Sequence, residues 1–168
     1  MKKYIVALSL LFTSTIFSQS LTDKLIIGKI NEYRIENNLK KLKFSNVAYK
    51  AAKHHNNYLI NHLEDGLTHD EKGETPTPWH RLIKYMKKSN GKFVWSVENL
   101  YCVSVNPDTD LNAKNVAEWT AYQTIDSWKN SPGHDYNMLF DEITDIGIHT
   151  IITDDNELIV TYVGYTYY

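Results

Sequence analysis

The segment from Trp128 to Met138, WKNSPGHDYNM, places a histidine directly after a break in a helical pattern. Pro132 cannot continue a hydrogen-bonded helix, and Gly133 tolerates almost any backbone angle. His134 therefore follows a sharp and well-defined corner of the chain. Trp128, which ends the strongest helical pattern of the sequence, is predicted to be largely buried.

Three further polar residues are candidates for the same site, and each has an ordinary structural alternative. His69 lies in a polar segment rich in Gly, Pro, Asp and Thr, where a histidine is usually a solvated loop residue. Glu98 is the lone charge in an apolar run, so it is either at an exposed edge or paired, because an unpaired buried charge is costly. His55 falls on an apolar helical stripe and is either a site residue or a core histidine satisfied by a backbone carbonyl. The functional hypothesis is that His69 and Glu98 meet His134.

A series of helices and strands must position these residues. The order of the predicted elements indicates an α+β fold in which helices cover an antiparallel sheet. Apolar residues at three- and four-residue steps predict helices over residues 21–38, 46–62, 79–88 and 112–130, with further helical turns over 134–140. Composition and period-two alternation predict a strand over residues 93–105 and an antiparallel hairpin made of residues 145–153 and 157–167.

Residues 1–20 have the layout of a secretory signal peptide. A positive start precedes an apolar run that is too short to span a bilayer, and Ser18-Gln19-Ser20 forms a small-x-small cleavage site. We expect cleavage near Ser20, which leaves residues 21–168 as a single domain. The predicted location is extracellular or periplasmic. No cysteine lies near the cleavage site, so we expect no stable membrane anchor.

Charge and cysteine content narrow the classes of function. Without the two leader lysines, 18 minus 2 leaves 16 basic side chains against 20 acidic ones, a net charge of −4. That balance argues against a nucleic-acid binder, which would carry a basic stripe. Cys102 is the single cysteine and cannot form an internal disulfide, so the domain must be held together by packing. We expect Cys102 to be a small buried hydrophobe and the protein to be a monomer.

Taken together, these segments resemble the CAP superfamily, named for cysteine-rich secretory proteins, antigen 5 and pathogenesis-related 1 proteins. The similarity is to its bacterial, cysteine-poor, secreted branch. The matching blocks follow the family's order over nearly all of residues 21–168. They are Ile30–Arg34 with Glu36, Asn37 and Leu42; Ala51, Ala52 and His55; Thr68 and His69; Gly73, Pro76 and Arg81; Glu98–Leu100; Trp128–Met138; and Ile146–Ile148.

The resemblance implies a three-layer α-β-α sandwich with an open cavity on one face. In many members this cavity is lined by two histidines and two acidic residues and can hold a divalent cation. By position, His69 and His134 correspond to the histidines and Glu98 to one acid. Ser131 stands where the second acid is found in eukaryotic members, and the bacterial branch often has serine there. The residues expected at the cavity are His55, His69, Glu98, Asn99, Ser131 and His134.

Two imidazoles and one carboxylate are the ligand set of several catalytic zinc sites. The resemblance therefore implies a divalent cation, with zinc as the first choice, held by His69, His134 and Glu98. Nucleophilic catalysis by Ser131 is disfavoured, because no orienting Asp is assured and a Ser-Pro-Gly turn is not a nucleophile elbow.

Three functions are compatible with this interpretation. The resemblance favours a secreted module that binds an unidentified ligand or surface partner. The alternative is a divalent-metal-dependent hydrolase acting on peptide or cell-envelope material, and the third is a purely structural surface protein. A second acidic residue within reach of His69 and His134 would favour the enzyme, and its absence would favour binding.

Overall fold

The computed structural model describes residues 19–86, 93–105 and 113–167. The predicted leader lies outside these residues except for Gln19 and Ser20. Ser20 caps the first helix, because its hydroxyl accepts a hydrogen bond from the Asp23 amide at 3.0 Å. The Asp23 carboxylate accepts one from the Ser20 amide at 3.0 Å in return. This reciprocal capping satisfies two amides that the helix itself leaves unpaired.

The helices and strands follow the predicted order. Their bounds are α1 Leu21–Glu36, β1 Lys43–Phe44, α2 Asn46–Leu59, α3 Pro78–Tyr85, β2 Phe93–Ser104, α4 Ala113–Lys129, α5 Pro132–Leu139, β3 Asp145–Ile152 and β4 Glu157–Tyr167, with a 3-10 turn at Leu63–Asp65. Residues 87, 88 and 112, which the sequence also predicts to be helical, lie outside the described residues.

The four strands form one sheet in the order β1-β3-β4-β2. The predicted hairpin is present, with β3 antiparallel to β4 from the Asp145–Tyr165 pair to the Ile152–Leu158 pair. β2 is antiparallel to β4, while the two-residue β1 runs parallel to β3. The sheet is thus antiparallel except for a short parallel addition, and β2 is an edge strand.

Helices cover both faces of this sheet, which confirms the α+β fold and the three-layer sandwich. In β4, Leu158, Val160 and Tyr162 pack into the core under α1 and α4. The alternating residues Ile159 and Val163 pack on the other face, against α2. Because successive side chains of a strand point to opposite faces, this alternation places one helical layer on each side.

Two close contacts fix the layers against the sheet. Trp128 is fully buried, and its indole nitrogen donates to the Leu100 carbonyl at 3.0 Å, which confirms its predicted burial. On the other face, α2 approaches so closely that a Cβ on Gly147 would lie 2.1 Å from the Tyr49 amide nitrogen. Ala48 and its alanine neighbours allow this approach because their side chains are small.

Cys102 is only half-buried, which is less than the sequence predicts. Burial and the neighbouring Glu157 carboxylate raise the pKa of its thiol to about 11. The thiol is therefore protonated and unreactive at neutral pH. In the part of the chain that the structure describes, no helix is both long and apolar enough to cross a membrane.

Candidate functional site

The predicted site residues gather at the edge strand β2, where the two helical layers meet. Glu98 and Asn99 are consecutive in this strand and point to opposite faces of the sheet. Glu98 reaches Arg81 of α3, while Asn99 reaches the first turn of α5. Both residues are buried. The edge position lets groups from both layers come together around one strand.

Glu98 is paired, which decides between its two sequence interpretations. Nη2 of Arg81 donates to both of its carboxylate oxygens, at 2.9 and 2.7 Å. The same nitrogen donates to the His69 carbonyl at 3.0 Å and so fixes the loop that carries His69. Arg81 is fully buried. A charge-assisted pair of this kind satisfies two charges that would otherwise be costly inside the protein.

A second buried carboxylate, Glu71, completes this charged cluster. Its Oε1 lies 3.3 Å from Nη1 of Arg81 and 2.8 Å from Nδ1 of His55. Burial by itself raises the pKa of Glu71. The hydrogen bond from His55 and the charges of Arg81, His54 and His55 outweigh burial, so the pKa lies below its ordinary value. Arg81 therefore lies between two buried carboxylates, Glu71 and Glu98.

His55 is a fully buried histidine whose two ring nitrogens both face oxygen atoms. Nε2 lies 2.8 Å from the Thr68 carbonyl, which can only accept a hydrogen bond. Nδ1 faces the ionised Glu71 carboxylate, so it must donate as well. Its Nε2 also lies 3.8 Å from Glu98. The structure thus places His55 behind the site as a core residue with a backbone carbonyl partner.

His69 is oriented by Glu98 and is half-exposed. Its Nδ1 lies 2.9 Å from Oε1 of Glu98. Because Arg81 occupies both carboxylate oxygens as a donor, the carboxylate acts as an acceptor and Nδ1 carries the proton. Neutral His69 therefore keeps the lone pair on Nε2, and 49% of its side chain is exposed. A carboxylate on one ring nitrogen is the usual way to hold the other nitrogen ready for a ligand.

His134 is held at the start of α5 by two asparagines. Asn99 donates to the His134 carbonyl at 2.9 Å. Asn137 donates to Oδ1 of Asn99 at 2.8 Å and to the Glu98 carbonyl at 3.1 Å. Burial lowers the pKa of His134, and the positive charge of His69 lowers it further. The two imidazoles are therefore close enough to interact electrostatically.

Ser131 is the N-cap residue of α5, but its side chain makes no capping hydrogen bond. Pro132 is the first residue of α5, where a missing amide proton costs nothing. The proline that interrupts the helical pattern of α4 therefore also begins the next helix. The Ser131 hydroxyl makes no hydrogen bond to any residue in the described ranges. It therefore contacts neither His69 nor His134 as a nucleophile would contact its base.

The three-residue ligand set His69, His134 and Glu98 is not present as a metal-binding group. Within residues 19–86, 93–105 and 113–167, no three His, Cys, Asp or Glu side chains are placed to hold a metal ion. In addition, Arg81 pairs with Glu98, and its positive charge opposes a cation at that carboxylate. What remains for a cation is the pair of imidazoles.

Sequence reasoning missed the role of Arg81 and did not single out Glu71 at all. The sequence offered one signal, since arginine occurs at two positions of the chain. In the structure both arginines are at most 1% exposed. Arg34 donates to the Met138 and Phe140 carbonyls at 2.8 and 2.9 Å and so holds the other end of α5. In a chain that uses lysine on its surface, a rare arginine indicates a buried multidentate partner.

Comparisons with known proteins agree with this architecture. An outer surface protein from Borrelia burgdorferi is 23% identical, with a TM-score of 0.66 over 85% of this chain and 90% of its own. An extracellular protein containing an SCP domain, from Bacillus anthracis, is 20% identical, with a TM-score of 0.60; the match covers 84% of this chain but only 40% of that protein. A structure of NaASP2 with Zn²⁺ is 12% identical, with a TM-score of 0.53, covering 87% and 80% of the two chains.

At these identities the solved structures establish the fold alone. No curated protein is significantly similar to this chain. The model of the cysteine-rich secretory protein family matches residues 27–165, which include every candidate site residue. The chain belongs to this family, the CAP family.

Proposed function

We propose that this protein is a secreted binding module whose ligand contacts His69 and His134. The observation that carries the proposal is the state of His69. Glu98 holds its Nδ1, which leaves the Nε2 lone pair at a half-exposed position. His69 also acts electrostatically on the second imidazole, His134. In its neutral form each imidazole offers a nitrogen ligand or a hydrogen-bond acceptor to a partner.

The absence of a second usable acid favours binding over hydrolysis. Glu71 is the additional buried carboxylate, but His55 and Arg81 occupy it. Apart from Glu98, no carboxylate of the described residues contacts His69 or His134. A second carboxylate beside the reacting water would favour the metal-dependent hydrolase, and among the described residues none is placed for that role. The metal-dependent hydrolase remains the second candidate and is tested below.

Secretion is supported by the leader pattern and by the relatives. The two bacterial relatives are described as an outer surface protein and an extracellular protein. Mass spectrometry of the exported protein should find a start near Leu21. An exported protein that retains Met1 would contradict the leader.

Zinc is the appropriate probe of the imidazole pair. NaASP2 has been crystallised with Zn²⁺. In this protein we expect two nitrogen ligands rather than three protein ligands, because Glu98 is held by Arg81. Binding should therefore be weaker than at a structural zinc site with four protein ligands.

The test is calorimetric titration of zinc into the parent, His69→Ala and His134→Ala. His80→Ala is the control, since it removes an exposed histidine that contacts Thr77. We expect heat in the parent and the control, its loss in both site variants, and weaker binding at pH 5 than at pH 7, because protonated imidazole cannot coordinate. Equal binding by His69→Ala and His80→Ala would place the ion elsewhere.

A second arm tests the hydrolase. The parent and a His69→Ala, His134→Ala double variant are incubated with casein and with peptidoglycan, with and without zinc. We expect no product in either case. Products formed by the parent but not by the double variant would favour the hydrolase over the binding module.

A further inference from the structure

A pocket lies beside the charged cluster, between α2, α3 and the loop that follows His69. Its volume is about 660 Å³, within the range of small-molecule sites. None of His69, Glu98 and His134 lines it. Four lysines from three separate segments line it: Lys50 and Lys53 on α2, Lys72 in the loop and Lys84 on α3.

The charge of this pocket is opposite to that of the whole chain. Two glutamates, Glu71 and Glu74, also line it, against the four lysines. Glu71 is paired with His55 and Arg81, and Lys72 in turn lies 3.8 Å from Asp65, so the positive excess rests on the count of four lysines against two glutamates in the lining. The chain as a whole carries more acidic than basic side chains. A concave local excess of positive charge raises the concentration of anions there.

The floor of the pocket is a fixed polar network. His54 contacts the Tyr85 hydroxyl through Nδ1 at 2.9 Å and the Thr75 hydroxyl through Nε2 at 3.1 Å. Nε2 also lies 3.2 Å from Glu71. Burial lowers the pKa of His54 despite the opposing effect of Glu71, and the positive charge of Lys84 adds to the lowering. The positive charge of Lys84 therefore acts on His54, which lines the pocket.

We propose that this pocket binds a small anion carrying two or more phosphate groups. Lysine ammonium groups act as point charges for phosphate oxygens. Because the lysines come from three segments around the pocket, an anion with two linked phosphates offers more oxygens to separate lysines than a single phosphate does. A nucleic acid is disfavoured, since the acidic surface outside the pocket would repel its backbone. The phosphates could belong to a soluble compound or to a lipid headgroup, and the experiment separates these sources.

The probe is inorganic pyrophosphate, titrated calorimetrically into the full mature chain at low salt, with inorganic monophosphate for comparison. The test variant is Lys72→Gln with Lys84→Gln, which removes two exposed lysines of the rim. The matched control is Lys24→Gln with Lys114→Gln, on the opposite helical layer. Lys114 lies 3.6 Å from Glu118, and Lys72 lies 3.8 Å from Asp65, so each variant loses one exposed ion pair.

We expect pyrophosphate to bind more tightly than monophosphate and less tightly as salt rises. The rim variant should bind at least about tenfold more weakly, because hydrogen bonds to charged groups are strong. The imidazole signals of His54 should shift on binding, and those of His80 should not. No heat at millimolar pyrophosphate, or equal weakening in both double variants, would overturn the proposal.

Vesicles distinguish the two sources of phosphate. Co-sedimentation with vesicles containing phosphatidylinositol bisphosphate but not with phosphatidylcholine vesicles, reversed by pyrophosphate, supports a lipid headgroup. Pyrophosphate binding without co-sedimentation supports a soluble anion. The zinc titration does not involve these lysines, so failure of either proposal can be recognised separately.

Discussion

Nη2 of Arg81 bonds both carboxylate oxygens of Glu98, at 2.9 and 2.7 Å. This pair changes the role expected of Glu98. The sequence suggests a metal ligand, whereas the paired carboxylate instead orients His69 and neutralises a buried guanidinium. Removal of Arg81 would leave two buried carboxylates without their shared cation.

Arg81→Met should therefore lower the free energy of unfolding by about 3–5 kcal/mol, because it leaves the Glu71 and Glu98 carboxylates buried without their cation. Lys84→Met is the control, since Lys84 lies on the same helix but is exposed, and its effect should stay within about 0.5 kcal/mol. Urea unfolding monitored by circular dichroism measures both. Equal stability of the two variants would contradict a structural role for the pair.

Gly147→Ala should cost at least about 3 kcal/mol, because the added Cβ would overlap the backbone of α2 at Tyr49, which cannot move without shifting the helix. Gly28→Ala is the opposite control. Gly28 lies on an exposed side of α1, and a Cβ added there would meet no atom within 4 Å, so alanine should stabilise by about 0.5–1 kcal/mol. Thermal unfolding of both variants checks the prediction, and a Gly147→Ala protein as stable as the parent would refute the close approach.

His149 should make the protein less stable in mild acid. Burial, with a smaller contribution from Lys53, lowers its pKa from 6.5 to about 4. Its Nδ1 faces the Asn56 amide at 2.9 Å, and protonation would destroy that acceptor. Between about pH 6.5 and pH 4, His149 is therefore protonated in the unfolded chain but not in the folded chain. This contribution to stability is present above pH 6.5 and is lost as the pH falls toward 4.

The expected loss from His149 is up to about 3 kcal/mol across this interval. His149→Gln should remove that part of the pH dependence, whatever its effect on stability at pH 7. His80→Gln, which changes an exposed histidine, should retain it. The measurement is the free energy of unfolding in urea at half-unit steps of pH, and identical slopes for parent and His149→Gln would contradict the assignment.

His69→Ala should raise the pKa of His134, because it removes the positive charge that, after burial, lowers it. Proton NMR titration of the His134 ring measures the change. His80→Ala should leave the pKa of His134 unchanged. An unaltered value in His69→Ala would mean that the two imidazoles are too far apart to share a ligand.

Local sequence patterns predicted most of the fold correctly. Apolar periodicity marks the helices and the β3–β4 hairpin, because a helix or strand must bury one side against its neighbours. The Ser20–Asp23 capping pair follows from residue types at capping-box spacing, and the burial of Trp128 follows from its position on the apolar side of α4. The ends of α5 were harder, because a proline that interrupts one helix can also begin the next, as Pro132 does.

The residue types and the order of segments along the chain determined by themselves the family, the layer architecture and the candidates His69, Glu98 and His134. Only the tertiary structure decided how these candidates are used. Glu71 and Arg81 lie in or after a loop without periodicity, so nothing local links them to Glu98. Their pairing arises because the sheet edge and two helical layers bury these charges together, and buried charges must find partners. That long-range requirement explains why Glu98, a candidate metal ligand by sequence, is hydrogen-bonded to an arginine in the structure.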